Sequence, residues 1–336
     1  MIFLRKVLFP LAIVYWIITF IRNFFYDLGI FKSQSYALPV IAVGNLSVGG
    51  TGKTPQIEYL IRLLHDYKIA TLSRGYKRES KGFILADESV SAKEIGDEPF
   101  QFFSKFPDVL VAVDADRRNG INQLLTHNPQ VILLDDAFQH RKVKAGFYIL
   151  LTAYNDLFSD DYILPFGNLR EPEMGKKRAN LIIVTKCPED LSEIAQVKIR
   201  QQLIAKDIPV YFSTIVYDDY LYGERDQIEV KAFEENILLL AGIAKPEFFF
   251  EHLKREKDTV MTFPDHHNFA EEDIQKILKV AEGRKIVTTE KDYMRLQGKL
   301  PVNQLYYLPI QSKIINDALG FNSKILNYVG ESSRNS

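Results

Sequence analysis

A lysine and a threonine that follow a run of glycines are the first residues of this chain spaced for chemistry. Residues 43–55 read V-G-N-L-S-V-G-G-T-G-K-T-P. Glycines let the backbone N–H groups of Ser47, Val48, Gly49, Gly50, Thr51 and Gly52 turn inward around an anion, with Lys53 and Thr54 at the start of a helix. A loop of this kind holds nucleotide phosphates: Lys53 reaches the β- and γ-phosphates, and the Thr54 hydroxyl holds Mg²⁺. The usual pattern G-x-x-x-x-G-K-[ST] has glycine where this chain has Ser47, and Gly49 and Gly50 supply the permissive backbone nearby.

Acids form the second group. Asp135 and Asp136 end the apolar run 131–134, the form of a buried strand delivering carboxylates to a nucleotide's metal, although an acid there also serves as a turn or helix cap. Asp97 and Glu98, in I-G-D-E-P at 95–99, either cap the helix that follows or supply a general base for an acceptor hydroxyl. His266 and His267 could assist such a base; as adjacent residues they point apart and do not suit one metal ion. Arg117 and Arg118 either pair with Asp114 or Asp116 or clamp a phosphate. No arrangement resembles a serine or cysteine hydrolase.

The elements that must position these groups alternate between strand and helix. Residues 39–43 read as a buried strand and 56–67 as the helix after the loop. Further apolar strands fall at 68–72, 109–113, 131–134, 147–151 and 181–184. Ligands of open α/β sheets gather at the carboxyl ends of strands, where S-R-G-Y (73–76), D-A-D-R-R (114–118) and Asp135-Asp136 all lie. After 181–184 comes T-K-C-P, and Pro188 stands where a guanine-binding protein would have its aspartate, which favours ATP. A strand at 210–216 leads into a polar-aromatic hairpin read as a linker. A second unit then has strands near 237–240, 260–263, 285–288 and 306–308. The expectation is an α/β protein: a phosphate-loop NTPase-type, mostly parallel sheet domain over 33–214, a linker over 215–232, and a smaller α/β domain with the C-terminal segment over 233–330.

Residues 1–32 are set apart as an apolar, membrane-associated helix. Residues 7–21 are apolar except for Thr19 and are bracketed by Arg5, Lys6 and Arg22. That run falls short of the ~20 residues of a comfortable span, and no small-residue cleavage site follows it. A helix lying in or dipping into the cytoplasmic face of a membrane is favoured, and its all-round apolar character keeps a span open. Elsewhere the chain is ordinary: 336 residues, 46% hydrophobic and 25% charged, with a net charge of −1 that gives no footprint for nucleic acid. Cys187, the only cysteine, excludes an internal disulfide and a cysteine metal cluster, in keeping with a reducing compartment.

Together the motifs resemble one family. The loop at 43–55, S-R-G-Y, G-D-E-P, D-A-D-R, L-D-D-A-F-Q-H, N-L-R-E-P, F-P-D-H-H and T-E-K-D are similar to those of the tetraacyldisaccharide 4′-kinases, from about Pro39 to Asp292. Ala137 stands where that family usually has glycine. The resemblance implies transfer of the γ-phosphate of ATP to the 4′-hydroxyl of a tetraacylated glucosamine disaccharide, forming lipid IVA at the cytoplasmic face of the inner membrane, by a peripheral or monotopic enzyme. It implies Asp97 as the base, His266 as its support, and Lys53 and Thr54 on phosphate and magnesium. Asp135 and Asp136 become the acidic pair of the metal site, and Tyr76, Glu98, Arg117, Gln139 and His140 line the cleft between two α/β domains. The competing classes are a regulatory or motor NTPase at the membrane surface and a non-catalytic nucleotide-binding protein; a base candidate outside the metal pair favours the kinase.

Overall fold

Val40, Ile41, Ala42 and Val43 are buried on both faces, which suits a strand covered by helices on two sides. They lie at the centre of the larger of two sheets in the computed structural model, which describes residues 7–204, 207–232, 236–265 and 267–334. Arg5, Lys6 and His266 lie outside the described residues. The first eight strands are β1 (Val40–Asn45), β2 (Ile69–Ser73), β3 (Ile84–Leu85), β4 (Leu110–Val113), β5 (Val131–Asp135), β6 (Phe147–Ala153), β7 (Leu181–Thr185) and β8 (Val210–Tyr217). The next six are β9 (Tyr220–Tyr222), β10 (Gln227–Glu229), β11 (Leu238–Ala241), β12 (Thr259–Thr262), β13 (Ile286–Thr289) and β14 (Leu305–Leu308), and β15 is Ile310–Ile314.

The larger sheet has nine strands in the order β15-β8-β7-β6-β1-β5-β2-β4-β3; only the two outermost, β15 and β3, run antiparallel to their neighbours. The smaller sheet has six in the order β10-β9-β14-β13-β11-β12. The helices are α1 (Phe9–Asp27), α2 (Lys53–Leu63), α3 (Ala92–Ile95), α4 (Asp97–Lys105), α5 (Arg117–Leu125), α6 (Glu193–Gln202), α7 (Glu247–Leu253), α8 (Glu271–Ala281), α9 (Glu290–Leu296) and α10 (Ala318–Arg334). Ile57, Leu60, Ile61 and Leu64 recur at helical spacing and turn one face of α2 into the core beside Ile41, Val43 and Leu133.

Two parts of the expected organisation are drawn differently. The hairpin at 217–230 is no free linker: β9 pairs with β14, Leu221 is buried with Tyr306 and Leu308, and Tyr222 sits 5.8 Å from Tyr307. The chain beyond residue 309 belongs to the larger sheet. There β15 pairs with β8, and α10 lays Phe321, Ile325 and Val329 onto Ile41, Val43 and Ile149. Each of those side chains is worth about 1.5–3 kcal/mol on burial, which outweighs any tendency of the segment to stay with the sheet before it. The smaller sheet is therefore an insertion between β8 and β15. Its two connections run side by side, with Asp218 N–H donating to the Pro309 carbonyl at 3.0 Å.

Helix α1 is 19 residues long, and only Ala12 and Thr19 are buried. Leu11, Val14, Ile18 and Ile21 are exposed, and by length and composition it is apolar enough to cross a membrane. Its contacts with the body run its whole length: Phe9 meets Phe166 edge-on, Tyr15 donates to the Arg170 carbonyl at 3.0 Å, and Arg22 donates to the Gln139 carbonyl at 2.8 Å. Asn23 donates to Glu171 at 2.8 Å, and Asp27 accepts from Arg141 at 2.7 Å.

Candidate active site

Strand β1 ends at Asn45 and α2 begins at Lys53, so the glycine-rich loop joins a buried strand to a helix N-terminus, the geometry of an anion site. Gly49 and Gly52 sit at φ +115° and +79°, where a side chain would be strained. The loop is held from both sides. Backbone bonds tie Val48 N–H to the Asn168 carbonyl (2.8 Å) and Arg170 N–H to the Leu46 carbonyl (2.7 Å). Opposite, the Thr185 hydroxyl donates to the Thr51 carbonyl at 2.8 Å and the Lys186 ammonium to the Gly50 carbonyl at 2.6 Å. These braces turn loop carbonyls outward and stiffen the cradle before any phosphate arrives.

Next to the loop, Asp136 occupies a left-handed conformation, φ +47°, at the end of β5. Its two oxygens accept from the Arg170 guanidinium at 2.7 and 3.0 Å, and Lys53 Nζ lies 3.7 Å from Oδ1. Lys53 also reaches Asn45 Oδ1 at 3.4 Å, and Arg170 donates to the same amide oxygen and to the Asn45 carbonyl. Burial alone would raise the Asp136 pKa, but the Arg170 bonds and the Lys53 charge outweigh it and pull it down to about 2. Asp135 goes the other way. Burial lifts it to about 6; Lys53 opposes that rise, and the charges of Asp136 and Glu98 add to it. Its Oδ2 accepts from the Ser73 hydroxyl at 3.4 Å, while its buried Oδ1 meets no donor among the described residues. A hard cation is the group that such an oxygen lacks.

The expected cleft residues divide. Arg117 is only 2% exposed; it donates to the Asp135 carbonyl at 3.0 Å and to the Asp114 carbonyl, bracing the ends of β4 and β5. Burial lowers its pKa to about 10. Gln139 donates to the Asn45 carbonyl (2.8 Å) and to Glu171 (2.9 Å), and so steadies the strand that leads into the loop. Burial, aided by the charge of Arg117, drops the His140 pKa to about 4, so the ring is neutral at pH 7; its Nε2 has no partner among the described residues. Tyr76 is open to solvent, with the Lys77 ammonium 5.5 Å from its ring. His267 bonds Asp273 at 2.9 Å and is ringed by Phe263 and Phe269.

Asp97 and Glu98 open α4, where carboxylates suit the positive helix end. Three charges of α9, in the smaller sheet, meet α4. Glu290 pairs with Lys105 at 2.9 Å, Lys291 with Glu98 at 3.0 Å, and Arg295 with Asp97. Burial would raise the Glu98 pKa, but Lys291 holds it below the ordinary value. Lys105 is shared with Glu58 of α2 at 2.8 Å, so two buried carboxylates face one ammonium. Burial first, and then the Glu58 charge, raise the Glu290 pKa from 4.5 to about 7 against Lys105 and Arg62. The folded state thus binds more protons than the unfolded chain between those values, and stability falls as pH rises from 4.5 through 7. Glu290→Gln should flatten that slope and raise the melting temperature above pH 7, read by thermal unfolding from pH 5 to 8. An unchanged slope would show that Glu290 is ionised throughout.

Sequence reasoning missed Asn45, Arg170, Glu171, Thr185, Lys186 and Arg295. Arg170 and Glu171 stand in N-L-R-E-P, whose chemistry is invisible until the chain brings it 125 residues back to Asn45. Glu171, 2% exposed, gathers Arg178, Gln139 and Asn23.

Comparison with known proteins follows the same lines. Residues 4–330 match the family model described as tetraacyldisaccharide-1-P 4′-kinase. A tetraacyldisaccharide 4′-kinase of Flavobacterium johnsoniae is 62% identical over 335 residues, covering 98% of each chain, and one of Phocaeicola vulgatus is 44% identical, covering 99% of this chain and 97% of that one. Among solved structures, LpxK from Aquifex aeolicus, an "apo" form in complex with ATP, superposes with a TM-score of 0.81 at 31% identity, covering 97% of this chain and 99% of that one.

Proposed function

The chain belongs to the tetraacyldisaccharide-1-P 4′-kinase family, and from that premise we propose how its cleft carries out the transfer. It is an ATP-dependent kinase that phosphorylates a lipid A precursor at the 4′ position. Membership removes the regulatory or motor NTPase as a reading of the loop.

In the proposed mechanism the loop at residues 47–52 and the N-terminus of α2 take the phosphates, and Lys53 leaves Asp136 and Asn45 for the β- and γ-oxygens. Lys186, burdened by burial and by the charges of Lys245 and Lys291, adds a positive field that a triphosphate relieves. Thr54 and Asp135 would hold Mg²⁺, which would neutralise charge on the phosphates during transfer. Asp136 stands behind them, since both its oxygens are engaged by Arg170. One carboxylate and a hydroxyl are too few for an all-protein cage and suit an ion that also binds phosphate and water; no cluster of three or more His, Cys, Asp or Glu side chains that could hold a metal exists among the described residues. Asp97 accepts the proton of the 4′-hydroxyl as its oxygen bonds to the γ-phosphorus and the bond to the ADP oxygen breaks. His266, next to the F-P-D loop, is assigned to support that base.

The observation that carries this reading is the convergence of Lys53, Asp135 and Asp136 at the end of β5, close enough to the first turn of α4 for the charge of Glu98, the neighbour of Asp97, to act on Asp135. Incubating the protein with γ-labelled ATP, Mg²⁺ and the unphosphorylated disaccharide lipid tests it: label should pass to the lipid. Label reaching only water would leave a nucleotidase.

We assign the enzyme to the cytoplasmic face of the inner membrane, where ATP is present. Because α1 is fastened to the body from Phe9 to Asp27, a lying helix is favoured over one that spans. Its unfastened apolar side would enter the lipid. Val14→Ser with Ile18→Ser removes five side-chain carbons and should cut partition onto anionic vesicles at least tenfold, up to roughly a thousandfold if all five are buried in lipid at ~0.8 kcal/mol each, and leave ATP binding unchanged. Co-sedimentation equal to the parent would place the membrane contact elsewhere.

A further inference from the structure

Resting on the assignment of Asp97 as base, we propose that Arg295 is its positioning residue, so that the smaller sheet orients the proton acceptor of the larger one. Asp97 is the first residue of α4, and its Oδ2 accepts from Arg295 Nε at 3.1 Å and from Nη2. The remaining guanidinium arm, Nη1, donates to Asp292 Oδ1 at 3.2 Å. Asp292 is fully buried, and its Oδ2 accepts from Gly242 N–H at 2.7 Å and from the Thr289 hydroxyl at 2.8 Å. A continuous set of bonds thus runs from the turn after β11, through Asp292 and Arg295 on α9, to the carboxylate of Asp97 at the start of α4.

Each link serves orientation. Arg295 is 10% exposed, and its planar fork, gripped at one end by a buried carboxylate, presents its other edge in one plane. A guanidinium stays protonated at working pH, so it neither takes the hydroxyl proton nor competes for it. It removes rotamer freedom from Asp97, and a base must stand within hydrogen-bond reach of the proton it abstracts. Lys291 and Glu290, on the same helix, fix α9 against α4 by their own pairs and leave Arg295 to the base.

A merely structural ion pair between the sheets would act on folding, so the test separates the two roles. Arg295→Gln, Arg295→Lys and Asp97→Asn are measured singly, and each Arg295 variant is also combined with Asp97→Asn, using label transfer from ATP to the disaccharide lipid. Arg295→Gln should lower kcat roughly 10- to 100-fold, with KM for ATP and lipid within about threefold of the parent, and Arg295→Lys, which keeps the charge without the planar fork, should recover only part of that loss and stay at least about fivefold below the parent. In the Asp97→Asn background neither substitution should cost more than about twofold, because there is no base left to orient. Losses that multiply in the double variants, or that appear in KM or in melting temperature instead of kcat, overturn the positioning role. If Arg295→Gln does not fold, the Arg295→Lys cycle is read by the same rule, since lysine keeps the charge and gives up the fork. Failure of the underlying assignment is distinct: Asp97→Asn with full kcat removes the base, whereas an impaired Asp97→Asn beside a silent Arg295→Gln removes only Arg295.

Discussion

Lys53→Ala should lose a hundredfold or more in kcat while the protein remains folded. In the proposed mechanism the ammonium stabilises the charge that develops on the β- and γ-oxygens, and removing one such donor from a preorganised site costs about 3–4 kcal/mol of transition-state stabilisation. The fold does not depend on it. Lys53 is partly exposed, Asp136 keeps both bonds from Arg170 when the lysine is gone, and Asp135, which loses the Lys53 charge, can take up a proton in place of staying ionised and unpaired. Label transfer and thermal unfolding on the same preparation decide the matter. A soluble, well-folded variant with near-parental kcat would end the assignment of residues 47–54 as the phosphate site.

Asp97→Asn should fail at the chemical step by roughly 10²- to 10⁴-fold, the usual contribution of a positioned base. Asparagine keeps the shape and an oxygen that can still accept from Arg295, so both substrates should bind with modest change. A loose transition state places the loss toward the lower end, because the acceptor proton need not leave early. Asp135→Asn gives the contrast. Its loss lies in the use of magnesium-bound ATP and should be partly regained by raising the metal concentration, whereas no metal replaces a missing proton acceptor. Rescue of Asp97→Asn by magnesium would exchange the two roles.

Much of this site is legible before any coordinates. A buried strand, permissive glycines and a helix start declare a phosphate loop because all three are local. Asp135-Asp136 declares itself by the apolar run before it. The unread parts depend on what the chain brings back. Arg170 gives no sign that it will grip Asp136, and Arg295 stands 198 residues from Asp97. Arg117 reads as a phosphate clamp by its type, yet its guanidinium satisfies two backbone carbonyls, a use that leaves no pattern in sequence. No strand is read at 310–314, where I-Q-S-K-I has neither an apolar run nor a regular alternation, so the return of β15 to β8 escaped the division at residue 233.

That return also sets an order of manufacture. The smaller sheet, between Tyr220 and Leu308, is complete in a growing polypeptide before α10 has been made. Until that helix arrives, Ile41, Val43 and Ile149 have no Phe321, Ile325 and Val329 to cover them. A product that stops short of Ala318 carries residues 47–54, Asp135, Asp136 and Asp97, yet shows a bare apolar face to chaperones and proteases. The ribosome must pass α10 before the first strand it made is sealed, so termination ahead of that helix should yield a substrate for degradation and not a short, active kinase.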